Sequence, residues 1–189
     1  GEATFLLGQD LGAGIIKSLA FGDVNGDGLL DLVAGYGTGA TTPVAPQQVF
    51  LNGGEGSPGQ DYYLDPENAW TDSLAIAPDS TRSIALGDFD ADGDLDLAVG
   101  NDSSAYELSE GATWPSAANR IWKNTLIDDD VPTAGFDLAW DQPVSDSIQP
   151  SWTNQVAWGD MNNDGLLELA VANGEWNGDA EQSGIYSHF

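Results

Sequence analysis

The sequence contains no cysteine, one histidine, one methionine and only 4 Lys plus Arg in 189 residues. Without cysteine there is no disulfide framework, no thiolate metal site and no cysteine nucleophile, and the redox compartment is left open. Against 31 Asp plus Glu, the scarcity of bases leaves a formal net charge of −27. Such a surplus repels a phosphate backbone and an anionic bilayer, so no nucleic-acid partner and no membrane insertion are expected. No run approaches the roughly 18 apolar residues of a membrane span, and Gly1-Glu2-Ala3-Thr4 does not read as a signal peptide. The missing initiating Met is expected of a processed or excised chain. What is present is 41% apolar residues with 24 Gly, 9 Pro and 7 Trp, too aromatic for a disordered acidic tail and long enough for one sizeable core.

Self-similarity organises the chain. Three segments align without gaps: Ser18 to Gly37 (SLAFGDVNGDGLLDLVAGYG), Ser83 to Asp102 (SIALGDFDADGDLDLAVGND) and Gln155 to Gly174 (QVAWGDMNNDGLLELAVANG), with periods of 65 and 72 residues. Inside each copy the periodicity is two. Leu19/Phe21, Ile84/Leu86 and Val156/Trp158 share one face of a first strand, while Ala20, Ala85 and Ala157 occupy the other, where a small residue suits close stacking of sheets. After an acidic loop, the runs starting at Leu30, Leu95 and Leu167 predict a second strand, apolar on both faces beyond its acid. A third strand is predicted at 48–51, 120–123 and 184–187. An aromatic-x-Leu signature, Tyr62-Tyr63-Leu64 and Phe136-Asp137-Leu138, opens a fourth.

Four short antiparallel strands per repeat predict an all-β fold of three propeller-type blades. Their expected bounds are 15–74, 81–142 and 153–189. The third blade ends before a fourth strand, and the missing signature recurs at the other end of the chain as Phe5-Leu6-Leu7. Residues 3–8 are therefore expected to supply that strand, either in their own chain or in a neighbour. In the second case Thr4, Phe5, Leu6, Leu7 and Gly8 add beside Ile185 and Tyr186, giving a head-to-tail homo-oligomer.

The acidic loops run Asp23 to Asp31, Asp88 to Asp96 and Asp160 to Glu168. Each has oxygen-bearing side chains at positions 1, 3, 5 and 9 and Gly at position 6, with a backbone carbonyl expected at position 7. That describes a hard-cation site of the kind calcium prefers, and the lack of His or Cys disfavours zinc and copper. It is not an EF-hand, because position 12 is Ala34, Val99 or Val171 and the flanks alternate as strands. A single Asp-Gly-rich segment would read as an ordinary hairpin turn. Three copies of one pattern favour metal.

With these loops the chain resembles the FG-GAP and VCBS repeats, whose blades form the integrin α-subunit headpiece and many bacterial surface proteins and whose Asp-x-Asp/Asn-x-Asp-Gly-x-x-Asp loops bind calcium. The resemblance implies three calcium ions. Their ligands would be Asp23, Asn25, Asp27, Leu29 (carbonyl) and Asp31; Asp88, Asp90, Asp92, Asp94 (carbonyl) and Asp96; and Asp160, Asn162, Asp164, Leu166 (carbonyl) and Glu168. Glu168 is one methylene longer than its counterparts, and Asn at position 3 in the first and third loops lowers their ligand charge, so the second site is expected to be the strongest.

No catalytic constellation is evident. Carboxylates committed to a divalent cation make poor general acids, and no nucleophile elbow or phosphate loop occurs, so an enzyme is not expected. Trp122 and Trp158 are expected in the core. Trp70, Trp114, Trp140, Trp152 and Trp176 fall in or beside loops, where they either cap sheet ends or stack on sugar rings. Asn101-Asp102-Ser103 matches a glycosylation sequon. Two functions stay open: an extracellular or cell-surface calcium-binding structural subunit that assembles head to tail as a filament or ring, and an adhesin or lectin-like propeller fragment of a longer surface protein, with a glycan or protein ligand. At the roughly millimolar affinities of extracellular calcium modules, either belongs outside the cell.

Overall fold

The computed structural model describes residues 11, 14–37, 47–52, 80–102, 118–125, 135–142, 152–176, 179–180 and 183–187. Within them the protein is all-β, with no helix. The first sheet is β1 (Ile16–Gly22), β2 (Asp31–Tyr36) and β3 (Gln48–Phe50), in that order. The second holds β4 (Thr81–Gly87), β5 (Asp96–Asn101), β6 (Arg120–Asn124) and β7 (Phe136–Asp141). The third is built from β8 (Thr153–Gly159), β9 (Glu168–Asn173) and β12 (Gly184–Tyr186), with β12 at its edge. A small hairpin of β10 (Glu175–Trp176) and β11 (Asp179–Ala180) lies between β9 and β12 in the chain.

The repeats hold to the level of register. Gly22 pairs with Asp31, Gly87 with Asp96 and Gly159 with Glu168, so the acid at loop position 9 is the first residue of each second strand. Each first strand carries a bulge at one matching place, Ile16/Ser18, Thr81/Ser83 and Thr153/Gln155. The second strands begin one residue later than the alternation predicts, because the acid rather than the preceding Leu opens the ladder.

Two-sided burial follows from stacking. β2 and β5 are buried at every residue. Between the first two sheets, Val24, Val33 and Val49 pack against Ile84, Leu97, Val99 and Trp122. Between the second and third, Ala98 and Ile121 meet Val156, Leu169 and Val171, with Trp158 and Tyr186 alongside. Ala20 and Ala85 lie in these seams, where the alternation places a small residue. The predicted fourth strand of the second blade is β7. The corresponding segment of the first blade, residues 62–64, and the N-terminal residues Thr4, Phe5, Leu6, Leu7 and Gly8 lie outside the described residues.

One aromatic assignment changes. Trp140 is not a loop residue; it sits on β7, half-buried, its ring centroid 5.2 Å from that of Tyr186. Trp152 lies beneath the Arg82 guanidinium, 5.0 Å from its ring centroid, which engages one face. Asn101 is fully buried and its side-chain amide donates to the Ala118 carbonyl (2.7 Å), so in the folded chain that nitrogen is not a glycan acceptor.

Candidate metal centre

Each acidic loop joins a first strand to a second, and it is shaped by its own carboxylates. In the first loop the Asp27 and Gly28 N–H groups donate to Asp23 Oδ1 and Oδ2 at 3.0 and 2.8 Å. Asp88 accepts from Asp92 and Gly93 at 3.0 and 3.1 Å, and Asp160 from Asp164 and Gly165 at 3.1 and 3.0 Å. The position-1 acid thus folds the loop around itself. Two residues per loop take left-handed backbone. Position 6 is Gly28, Gly93 or Gly165, as expected, and position 4 is Gly26, Ala91 or Asn163. Ala91, at φ 60°, carries the strain that glycine avoids in the first loop.

The position-9 acid does two jobs in the second loop. Asp96 is fully buried, with Oδ2 accepting from the Phe89 N–H (3.0 Å) and Oδ1 from the Asn124 N–H (2.8 Å), which ties the loop to β6. Asp31 repeats this with Val24 (3.0 Å) and Asn52 (2.7 Å). Glu168 accepts from the Met161 N–H at 2.7 Å and, with its other oxygen, from the Asn162 amide at 3.0 Å.

The second loop gathers its acids. Asp88, Asp90 and Asp96 bring carboxylate oxygens within 4.8 Å of one another. Buried oxygens Asp90 Oδ1 and Asp94 Oδ1 have no hydrogen-bond partner among the described residues. A carboxylate oxygen closed to solvent and left without a partner is costly unless a cation satisfies it, so this all-oxygen donor set fits a metal ion. In the first and third loops an asparagine amide fills part of that role: Asn25 donates to Asp27 and Asn162 to Asp164, each at 2.9 Å. Leu29 and Leu166 engage their loops through N–H groups that donate to Asp27 (2.8 Å) and Asp164 (2.9 Å).

Two participants were not visible in the spacing. The Asp94 side chain, given no part beside its carbonyl, is buried next to Asp92 and Asp96. Burial and those two carboxylates push it up to about 7. Burial also pushes Asp96 up to about 6, against the pull of its two backbone donors. The second newcomer is Lys123 on β6, whose ammonium lies 2.5 Å from Asp90 and 2.7 Å from Asp92. It holds Asp92 below the usual carboxylate range and is itself raised by the two acids. Its counterpart in the first repeat is Leu51, so the position-by-position pattern gave no signal for it.

Residues 23–99, from the first ligand position of the first loop to β5, match the family model described as an FG-GAP-like repeat. This segment carries FG-GAP-like repeats. A search of the curated proteins finds no match. The third copy lies beyond the matched span but shares the register, the bulge and the loop bonding of the first two FG-GAP-like repeats.

Lys123 alters the ranking drawn from ligand charge. A cation bound at the second loop competes with an ammonium already paired to two of its acids. Lys123→Met is expected to raise divalent-cation affinity at this loop by about tenfold, the worth of roughly one charged hydrogen bond, measured by calorimetric titration. Asp94 and Asp96 also predict a pH response. Both bind protons more tightly folded than unfolded, so the metal-free protein holds more protons than its unfolded chain between about pH 4 and 7, and stability falls as pH rises through that window. In chelator the thermal midpoint is therefore expected to be higher near pH 5 than near pH 7.5; the opposite slope would show that these two acids do not set the balance.

Proposed function

We propose that the chain is a calcium-binding repeat protein of the extracellular space or cell surface, with a structural or adhesive role and no catalytic one. The observation that carries this reading is the convergence of Asp88, Asp90 and Asp96 beside orphaned buried carboxylate oxygens. Oxygen ligands without His or Cys select a hard cation, and calcium is the one that a flexible loop of this length accommodates. Three ions are proposed, one per loop, with the carbonyls of Leu29, Asp94 and Leu166 completing the sets.

The three sheets are read as propeller-type blades, the third completed by residues Thr4 to Gly8 of a neighbouring chain. β12 is the edge strand of the third sheet, and Ile185 on it is 52% exposed, which leaves a strand edge for that addition. Of the tryptophans offered for glycan stacking, Trp140 and Trp152 are engaged by Tyr186 and Arg82, while Trp70 and Trp114 lie outside the described residues.

Calorimetric titration of the chelated protein tests the metal assignment: three calcium equivalents are expected, and no heat up to about 10 mM calcium, well above the affinity range of extracellular modules, would remove calcium from the account. Electron microscopy of the calcium-loaded protein before and after deletion of residues 1–8 tests the strand addition, which predicts rings or filaments only in the full chain.

A further inference from the structure

The sheets of this chain meet through one joint used twice. At the first, the Cα of Gly22 faces Leu86 and Leu95 so closely that an added Cβ would stand 2.9 and 2.6 Å from their methyl groups. At the second, Gly87 faces Trp158 and Leu167 at 2.6 and 3.0 Å. A second socket repeats alongside: Gly35 receives Thr81 and Ile84, and Gly100 receives Thr153 and Val156. A serine closes each joint, Ser18 Oγ accepting the Ile84 N–H and Ser83 Oγ the Val156 N–H, both at 3.1 Å.

Carried one repeat further in each direction, the same positions lie open at the two ends. On the third sheet Gly159 holds the socket position, and a Cβ there would meet nothing within 4 Å. Ala157, Ala170 and Ala172 continue the small-residue face, with Ala172 where Gly35 and Gly100 stand, and Gln155 replaces the serine as an acceptor. On the first sheet the inserting positions are Leu19, Phe21 and Leu30, exposed at 49%, 65% and 62%. The internal counterparts of Leu19 (Ile84 and Val156) are buried, at 7% and 3%, and those of Phe21 and Leu30 (Leu86, Trp158 and Leu95) are half-buried in the seams. Leu11 and Ile16 pack against the cluster of Leu32, Ala34, Tyr36 and Phe50, so the open part of this sheet is the row along β1 with Leu30 just ahead of β2.

We propose that the Leu19, Phe21 and Leu30 row of one molecule docks on the Gly159 face of the third sheet of a second copy, continuing the internal joint between chains. A second copy is the fitting occupant because each chain carries both halves of a joint it already closes twice. Phe21 lies between Leu86 and Trp158 in size, and Leu30 repeats Leu95 and Leu167. The contact is heterologous, so it builds a ring or a filament. With a net charge of −27, the copies repel at low ionic strength and associate better once salt screens them. The joint uses neither the calcium ligands nor residues 1–8, which separates it from strand addition.

The test is sedimentation of the calcium-loaded full chain at about 0.15 M salt, where screening is effective. Three variants are compared: Phe21→Asp with Leu30→Asp, which alters the exposed row; Gly159→Leu, which fills the socket from a position where a Cβ meets nothing within 4 Å inside the molecule; and deletion of residues 1–8. The expected result is an oligomer of the unmodified chain that falls to monomer in each of the first two variants, with unchanged circular dichroism. Mixing those two is expected to restore one two-chain species, joined through the intact row of one and the intact socket of the other. A monomeric parent chain overturns the proposal, as does an oligomer that survives either face variant. Loss of assembly only on deleting residues 1–8 also overturns it, while supporting strand addition by itself.

Discussion

Adding calcium to about 10 mM after chelation is expected to raise the thermal unfolding midpoint by about 10–25 °C, the largest change any single condition should produce. A ligand that binds only the folded state stabilises it by RT ln(1 + [L]/Kd). At affinities of about 0.1–1 mM this contributes about 1.4–2.7 kcal/mol per site, or about 4–8 kcal/mol for three. The loops are the right place for so strong a coupling, because each opens a second strand: Asp31, Asp96 and Glu168 are paired in the sheet by register. Asp88→Ala is expected to remove about a third of the gain, and scanning calorimetry with and without calcium reads both. An unchanged midpoint would mean that folding of the sheets and ligation by the loops are independent.

The alternation of small and large residues on the first strands made the stacking legible. Ala20 and Ala85 lie where two sheets touch, and Trp122 and Leu97 fill the space opposite. Loop position 6 was legible for a comparable reason, since a sharp left-handed turn selects glycine. Position 4 was not, because Gly26, Ala91 and Asn163 share a backbone conformation rather than a residue type. Trp140 stands two residues past the aromatic-x-Leu signature, and β7 runs on far enough to carry it into contact with Tyr186.

Lys123 was hidden by distance. It is 33 residues from Asp90 and reaches the loop only because β6 pairs with β5. Local spacing reports how a loop can fold around a point; it says nothing of a charge delivered by another strand. At the second loop that delivered charge decides how many acids are free for a metal, so the loop with the most carboxylates is also the one already holding a cation.

Asp96→Ala is expected to destabilise the metal-free protein by about 2–5 kcal/mol, because it strips the acceptors from two N–H groups at a buried site, each worth about 1–3 kcal/mol when left unsatisfied. The Phe89 N–H belongs to the loop and the Asn124 N–H to β6, so one carboxylate holds the turn and the third strand together. Asn124 extends the tie, donating its side-chain amide to the Val24 carbonyl of the first repeat's loop at 2.7 Å. Denaturant unfolding in chelator isolates this structural part from any loss of metal binding. Asp96→Asn keeps one acceptor oxygen but turns a donor toward the other N–H, and is expected to cost about half as much. Asp31→Ala should behave like Asp96→Ala, since Val24 and Asn52 repeat the two bonds. A cost below about 0.5 kcal/mol, the size of an ordinary surface substitution, would show that water replaces the carboxylate at this joint. The acid would then be kept for the metal alone.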